Sequence, residues 1–413
     1  MSLNKNYLVS FFLIFSLNIC LSQSESAIEQ DSTDVLDEVI VTATRTRRQL
    51  SSLPLPAQII SNKEIKAVNS VRLTDILNEQ TGLITVPDFG GGEGIQLQGV
   101  DSQYTLILVD GVPLIGRSAG TLDINRLTVG NIRKIEVVKG ASSSLYGSEA
   151  LGGVINIITE KPKQGFKGNL NYIYRSFATN DLSTTLSYKK NKAFISGFFN
   201  RFSSNGYDLN DTDETQTVTP YENYTFDLKS AIDIGDKTIV SFFGRYFYQN
   251  QDNISSSTLQ GEAEINEWNL QLKGEHQFND KWRSTLELYG TNYVARSYLD
   301  DLTSQKRFSS SDFDQILLRP ELRTEYKLNE KHSFITGVGI THESLDRTYF
   351  SITPVFNAPY IYTQYDGNLS DKFNIILGSR FDSHNEYASQ FSPNAALRYE
   401  LYEKISVKGS AGY

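Results

Sequence analysis

The sequence from Leu106 to Thr159 contains four short motifs: Leu-Ile-Leu-Val-Asp-Gly-Val-Pro-Leu at 106–114, Ile-Glu-Val-Val-Lys-Gly at 135–140, Ser-Leu-Tyr-Gly at 144–147 and Gly-Gly-Val-Ile-Asn-Ile-Ile-Thr at 152–159. The run 106–109 is fully apolar and too short for a helix, so it predicts a buried strand. Asp110-Gly111 then predicts a hairpin turn. The stretches 135–138 and 154–158 are rich in isoleucine and valine around one polar residue each, and they are bounded by glycine in the same way. The residues alone predict a small core of brief strands, and an ordinary α/β core with glycine turns remains an alternative.

In this order, the motifs resemble the plug domain of TonB-dependent outer-membrane receptors. Together with the aromatic pattern that follows them, the resemblance covers the chain from about Asp37 onward. It implies a mainly β fold, with a small α/β plug domain inside a transmembrane antiparallel β-barrel. Plugs of this family commonly carry Arg-Gly before the Leu-Val-Asp-Gly strand, whereas this chain has Gln98-Gly99. Glu136 would then lack its usual cation, and Arg133, Lys139 or a barrel residue is the expected substitute.

The first residues predict export. Lys5 precedes an uncharged run from Tyr7 to Leu21 of about 15 residues, which is short for a membrane-spanning helix and suits a secretory signal. Cleavage after Ser22 is expected, and a lipoprotein anchored at Cys20 is the weaker alternative. Because Cys20 is the single cysteine, the mature protein would contain neither a disulfide nor a thiolate metal site.

A polar segment, Gln23 to Asp34, has too few apolar residues to fold by itself and predicts a flexible leader. The next segment is Asp37-Glu38-Val39-Ile40-Val41-Thr42-Ala43. It resembles the TonB box, through which a periplasmic energy transducer captures these receptors by strand addition. We call Asp37–Ala43 the predicted box. A plain first strand of the plug is the alternative interpretation.

The second half predicts a membrane barrel. After Lys161-Pro162-Lys163, tyrosine and phenylalanine become frequent, and segments of about ten residues alternate polar and apolar positions, as in transmembrane β-strands. Short connectors at 235–237 and 279–281 suit periplasmic turns. Longer polar stretches suit outer loops, at 203–219, 249–261, 300–311 and 349–358. A secreted β-sandwich is the weaker alternative.

Roughly 12 or 13 strands are expected between Gly165 and Tyr413, whereas plugged transporters of this kind close with 22 strands. The chain therefore reads as C-terminally truncated, and an open half-barrel would not insert and transport by itself. We predict four parts: a signal peptide (1–22), a flexible leader with the TonB box (23–44), a plug domain (45–163) and the N-terminal part of the barrel (164–413).

Two plug loops should face a ligand if the resemblance holds, at Pro87–Gly94 and Pro113–Leu122. Phe89 is the candidate for a stacking surface, and Arg117 with Ser118 for contact with an anionic or hydroxylated group. Glu136 and Lys139 are the candidates for plug–barrel contact. Solvated loops without a ligand role are the alternative for both stretches.

The sequence gives no support for an enzyme, a cofactor or a metal site. The four histidines (276, 332, 342 and 384) show no ligand or triad spacing. Gly90–Gly94 lacks the Lys-Ser/Thr of a phosphate loop. A formal net charge of -9 argues against nucleic acid as a partner.

The expected function is active, TonB-dependent import across the outer membrane of a Gram-negative bacterium. The resemblance implies a TonB-type transducer, outer-membrane lipid and a small ligand as partners. A ferric siderophore is the leading ligand, cobalamin the second, and haem or oligosaccharide stay open. A passive porin or an anchored binding protein is the contrasting class.

Overall fold

The computed structural model describes residues 39–40, 42, 44–46, 48–87, 92–117, 120–140, 143–210, 212, 216–402 and 405–413. The first element is β1 (Val39–Ile40), in the predicted box. The elements from residue 48 to residue 159, here called the plug, are β2 (Arg48–Gln49), η1 (Leu50–Ser52), β3 (Ala57–Ser61), α1 (Asn62–Val68), α2 (Leu73–Asn78), β4 (Leu83–Pro87), β5 (Glu93–Leu97), η2 (Ser102–Tyr104), β6 (Thr105–Val109), β7 (Val112–Pro113), η3 (Ile124–Arg126), β8 (Ile132–Lys139), α3 (Ser143–Tyr146), η4 (Ser148–Ala150) and β9 (Gly153–Thr159). None of the described helices has both the length and the apolar character needed to cross a membrane.

A five-stranded sheet in the order β3-β8-β9-β6-β7 forms the centre of the plug. Strands β6 and β9 are parallel, and the other neighbouring pairs are antiparallel. All residues of β6 are buried. Asp110 and Gly111 have φ angles of 51° and 86°, the positive values that a type I′ hairpin requires. This hairpin pairs Val109 with Val112, so the buried strand and turn predicted from the sequence are confirmed.

The plug buries an apolar core in the ordinary way of a water-soluble domain. Ile60, Ile107, Ile135 and Ile155 are each at most 2% exposed and belong to one cluster. Helix α1 begins with a capping box, in which the Ser61 side chain and the Glu64 side chain satisfy each other's backbone N–H groups. Local sequence and core packing therefore agree in this domain.

The rest of the chain forms one 13-stranded sheet, called the large sheet, whose strands follow chain order and are antiparallel throughout. Its strands are β10 (Gly165–Arg175), β11 (Thr179–Lys190), β12 (Ala193–Ser204), β13 (Tyr221–Ile234), β14 (Thr238–Ile254), β15 (Leu259–Gln277), β16 (Trp282–Asp301), β17 (Lys306–Asn329), β18 (His332–Arg347), β19 (Val355–Ser370), β20 (Phe373–Asp382), β21 (Gln390–Tyr402) and β22 (Ile405–Gly412). The strand number agrees with the expectation from the sequence.

In the large sheet, polar side chains are buried and apolar side chains are exposed, the opposite of the plug. Along β16, Thr285 and Glu287 are buried, whereas Leu286 and Leu288 are 50% and 46% exposed. Successive side chains on a strand point to opposite faces, so one face of the sheet is polar and covered and the other is apolar and open. Transmembrane barrels show this arrangement, with apolar side chains toward lipid and polar side chains toward the lumen.

Short and long connections alternate as predicted at several positions. The turns at 235–237 and 279–281 join β13 to β14 and β15 to β16. The predicted outer loops at 249–261 and 300–311 are wrong in extent, because β14–β15 and β16–β17 continue as hairpins through most of both stretches. A hairpin that extends beyond the membrane has water on both faces, so its sequence loses the alternation that marks a strand.

Candidate functional site

The described part of the predicted box is docked on the plug. Strand β1 pairs antiparallel with β2, matching Val39 with Gln49 and Ile40 with Arg48. Ile40 is fully buried in an apolar cluster with Leu53 and Ile376, which brings the plug and strand β20 together. Asp37, Glu38, Val41 and Ala43 lie outside the described residues.

Thr42 is held by several plug side chains and is 2% exposed. Its N–H and its hydroxyl both donate to Glu136 Oε2, at 2.9 Å and 2.6 Å. Asn156 Nδ2 donates to the Thr42 hydroxyl at 2.8 Å, and the Tyr146 hydroxyl donates to the Thr42 carbonyl at 2.9 Å. The box segment is therefore anchored to β8, β9 and α3.

The next residues tie this segment to the large sheet. Arg45 Nη1 lies 2.6 Å from Glu321 Oε1 on β17 and donates to the Tyr362 hydroxyl at 3.0 Å. The Tyr360 hydroxyl donates to the other oxygen of Glu321 at 2.9 Å. Burial alone would lower the pKa of Arg45, but the Glu321 carboxylate and the neighbouring tyrosine and glutamate side chains together outweigh it and raise the pKa well above its usual value. Arg48 forms a further ion pair with Asp366.

A second ion-pair cluster lies deeper, between η3 and strands β14 and β15. Arg126 Nη1 is 2.8 Å from Glu267 Oε2, and the side chains of both residues are 0% exposed. Arg245 Nη1 approaches the same oxygen at 3.2 Å, and its Nη2 donates to the Arg126 carbonyl at 2.7 Å. Burial opposes the charge of Arg126, yet Glu267 and the neighbouring tyrosine and aspartate side chains together raise the pKa of the guanidinium above its ordinary value. The cluster is charged and shielded from water.

Smaller contacts extend the same interface. The Lys229 ammonium on β13 pairs with Asp110 of the hairpin turn, and Asn131 Nδ2 donates to Asp227 at 3.1 Å. The Tyr289 hydroxyl donates to the Pro113 carbonyl at 2.6 Å. Polar side chains of the large sheet thus bind the plug along much of its surface.

Two family models match the chain. Residues 49–154 match the TonB-dependent Receptor Plug Domain, and residues 187–413 match the TonB dependent receptor-like beta-barrel. The chain belongs to the TonB-dependent receptor family. It is accordingly an outer-membrane protein of a Gram-negative bacterium, and the members of its family are receptors and transporters.

Curated relatives of this receptor include two proteins of Vibrio cholerae serotype O1. The vitamin B12 transporter BtuB is 27% identical, in an alignment that covers 91% of this chain and 62% of BtuB. The iron-regulated outer membrane virulence protein is 28% identical, in an alignment that covers 95% of this chain and 62% of the relative. The receptor chain thus spans 62% of the length of these relatives.

Solved structures share the fold of this receptor. A ferric enterobactin receptor (PfeA) from Pseudomonas aeruginosa has a TM-score of 0.72 at 18% identity, covering 89% of this chain and 62% of that one. The siderophore receptor PirA from Acinetobacter baumannii has a TM-score of 0.72 at 18% identity, with 88% and 61% covered.

The predicted ligand-facing residues are only partly described. Phe89 and Ser118 lie outside the described residues. Arg117 donates to the Ser102 carbonyl at 3.2 Å and to the Thr105 carbonyl at 3.0 Å. These bonds orient its guanidinium within the plug, and its role in ligand binding stays a prediction.

Glu136 and Lys139 have contacts inside the plug. The cation beside Glu136 is Lys134, whose Nζ is 2.9 Å from Glu136 Oε1, rather than Arg133 or Lys139. Residues two apart on a strand share a face, which explains why Lys134 is the neighbour. Lys139 Nζ instead donates to the Thr81 carbonyl at 2.6 Å. Contact of Glu136 and Lys139 with the barrel stays a prediction.

Sequence reasoning missed Arg126, Glu267, Arg45 and Glu321. The sequence did contain one usable signal for the two glutamates. Glu267 and Glu321 each lie next to an apolar residue, in a strand long enough to span a membrane. Such a carboxylate must face the lumen. Within the described residues, no group of histidine, cysteine or acidic side chains is arranged to hold a metal ion.

Proposed function

We propose that this receptor imports a scarce ligand across the outer membrane with energy from a TonB-type transducer in the periplasm, and that a ferric siderophore is the leading ligand. The anchoring of the predicted box carries the proposal. Thr42 is hydrogen-bonded to β8 and β9, and Arg45 is paired with the large sheet. A pulling force on the box would therefore act on the plug core and on its attachment to the barrel at the same time.

A passive pore fits these contacts poorly. The buried Arg126–Glu267 pair and the Asp110–Lys229 pair fix plug residues against the large sheet. Breaking a buried ion pair leaves charges without partners, at a cost of about 3–5 kcal/mol. Work supplied from outside is the simplest source of that free energy. The proposal also gives the chain a non-enzymatic role, in keeping with a family of receptors and transporters.

The choice of ligand rests on the relatives. The iron-regulated protein and the vitamin B12 transporter match this chain at 28% and 27% identity, so cobalamin is the second candidate. Iron regulation of one relative and the recurrence of siderophore receptors among the similar folds favour a ferric chelate. Haem and oligosaccharide remain open as ligands.

The deciding experiment is uptake of radiolabelled iron chelates and of radiolabelled cobalamin by cells of the source bacterium that produce the receptor from its native gene. We expect accumulation of a ferric chelate, its abolition when Asp37–Ala43 is deleted, and unchanged ligand binding by the deleted form at the cell surface. Collapse of the proton gradient should have the same effect as the deletion. Unchanged uptake by the deletion variant would contradict the proposal, and uptake of cobalamin alone would replace the ligand.

A further inference from the structure

Three motifs of the plug meet at one residue of the predicted box. Glu136 comes from Ile-Glu-Val-Val-Lys-Gly, Tyr146 from Ser-Leu-Tyr-Gly and Asn156 from Gly-Gly-Val-Ile-Asn-Ile-Ile-Thr. Their side chains all bind Thr42.

The register of the central sheet brings two of them together. Glu136 on β8 and Asn156 on β9 are direct cross-strand partners, so their side chains project on the same face. Helix α3 supplies the third, Tyr146. Burial raises the pKa of the Tyr146 hydroxyl, which therefore stays protonated and acts as a donor.

The Thr42 hydroxyl has two roles in this arrangement. It donates to Glu136 at 2.6 Å and accepts from Asn156 at 2.8 Å, so it needs both a proton and a lone pair. Among side chains of this size and shape, only serine and threonine offer both. Glu136 is 0% exposed, and a buried carboxylate that loses a donor is destabilised strongly.

We propose that Glu136, Asn156 and Tyr146 form a cradle that keeps the box docked on the plug, and that the Thr42 hydroxyl is the group by which the cradle holds it. Thr42 is then a positioning residue, which sets how often the box leaves the plug and becomes available for capture. This inference rests on the proposed function, because it assumes that Asp37–Ala43 is the segment that the transducer captures.

The experiment measures release of the box without ligand or transducer. Ile40 is 0% exposed, so a cysteine introduced by I40C reacts with a maleimide only when the segment undocks. The one native cysteine, Cys20, lies in the predicted signal peptide. Labelling rates are compared in isolated outer membranes between I40C and the same protein carrying one further substitution.

T42V keeps the shape of the side chain and removes the hydroxyl. We expect labelling to accelerate about tenfold or more, because the buried Glu136 and Asn156 both lose a partner. T42S should restore slow labelling. Y146F removes the hydrogen bond to the Thr42 carbonyl and should accelerate labelling about threefold. The matched control is T74V, since the buried Thr74 hydroxyl has no hydrogen-bond partner in the described part of the chain, and its labelling rate should equal that of I40C.

Equal labelling rates for I40C alone and for I40C combined with T42V would overturn the cradle. An acceleration by T74V as large as that by T42V would also overturn it. If T42V fails to assemble, Y146F decides alone, because it leaves the box side chains intact. These outcomes are separate from the test of import: a receptor whose box deletion leaves uptake unchanged refutes the proposed function, whatever the labelling rates.

Discussion

The plug and the large sheet solve the problem of burial in opposite ways. In the plug, isoleucine, leucine and valine are inside, with Ile107 at 2% exposure. In the large sheet, leucines such as Leu286 are outside and carboxylates such as Glu287 are covered. The first arrangement suits water around an apolar core, and the second suits lipid around a polar lumen.

The difference explains where the ion pairs lie. A polar lumen wall facing a folded domain leaves charges on both sides of a dry interface, and these charges are stable only when they are paired. Arg126 with Glu267 and Arg45 with Glu321 meet that requirement. The interface therefore attaches the plug strongly, through polar groups that water can also solvate.

The substitution with the largest expected effect on stability removes the charge of Glu267, at the interface between the plug and the large sheet. Glu267→Gln keeps the size of the side chain but leaves Arg126 and Arg245 buried without their carboxylate, and the free energy of unfolding should fall by about 3–5 kcal/mol. Denaturant unfolding of the purified receptor measures this loss. The matched control is Asp236→Asn at the exposed Lys192–Asp236 pair, which should have little effect. Similar losses for both variants would show that burial does not govern these pairs.

A second test compares apolar residues in the two regions. Ile107→Ala removes a buried side chain from the plug core and should cost about 2–5 kcal/mol of stability to unfolding. Leu286→Ala trims a side chain that is 50% exposed on the open face, so its effect on unfolding in detergent should be much smaller. If the leucine variant proves the more damaging, the assignment of the two faces is wrong.

The smallest expected effect concerns a purely local feature of the plug. Ser61→Ala removes the cap of helix α1 and should lower the free energy of unfolding by about 1 kcal/mol. Ser61→Thr retains the capping oxygen and should recover most of that loss. An alanine variant as damaging as Glu267→Gln would mean that local capping outweighs the contact between the two regions.

The features that the sequence predicts well are those determined by residues close together in the chain. The buried strand and the Asp110-Gly111 turn follow from adjacent residues, and the strand number of the large sheet follows from alternation and turn residues. The Arg126–Glu267 contact joins residues 141 positions apart. Local patterns carry no information on such a partner. The long hairpins were mistaken for loops because strands exposed to water on both faces lose their period.

The candidate site likewise has features that the local sequence predicts and features that it does not. The motifs that contain Glu136, Tyr146 and Asn156 were recognised one by one, but their convergence on Thr42 depends on the register between β8 and β9. Register is set by the whole sheet. Lys134 was missed as the neighbour of Glu136, although their spacing of two residues along a strand was a usable signal.

The most direct test of the account is single-molecule pulling on the receptor in a membrane, with the force applied at Val39 in the predicted box. We predict that the plug, held by ion pairs and hydrogen bonds, unravels before any strand of the large sheet, releasing at most on the order of 400 Å of chain for residues 39–159. Extraction of the large sheet before the plug, or exit of a folded plug as one body, would contradict the account.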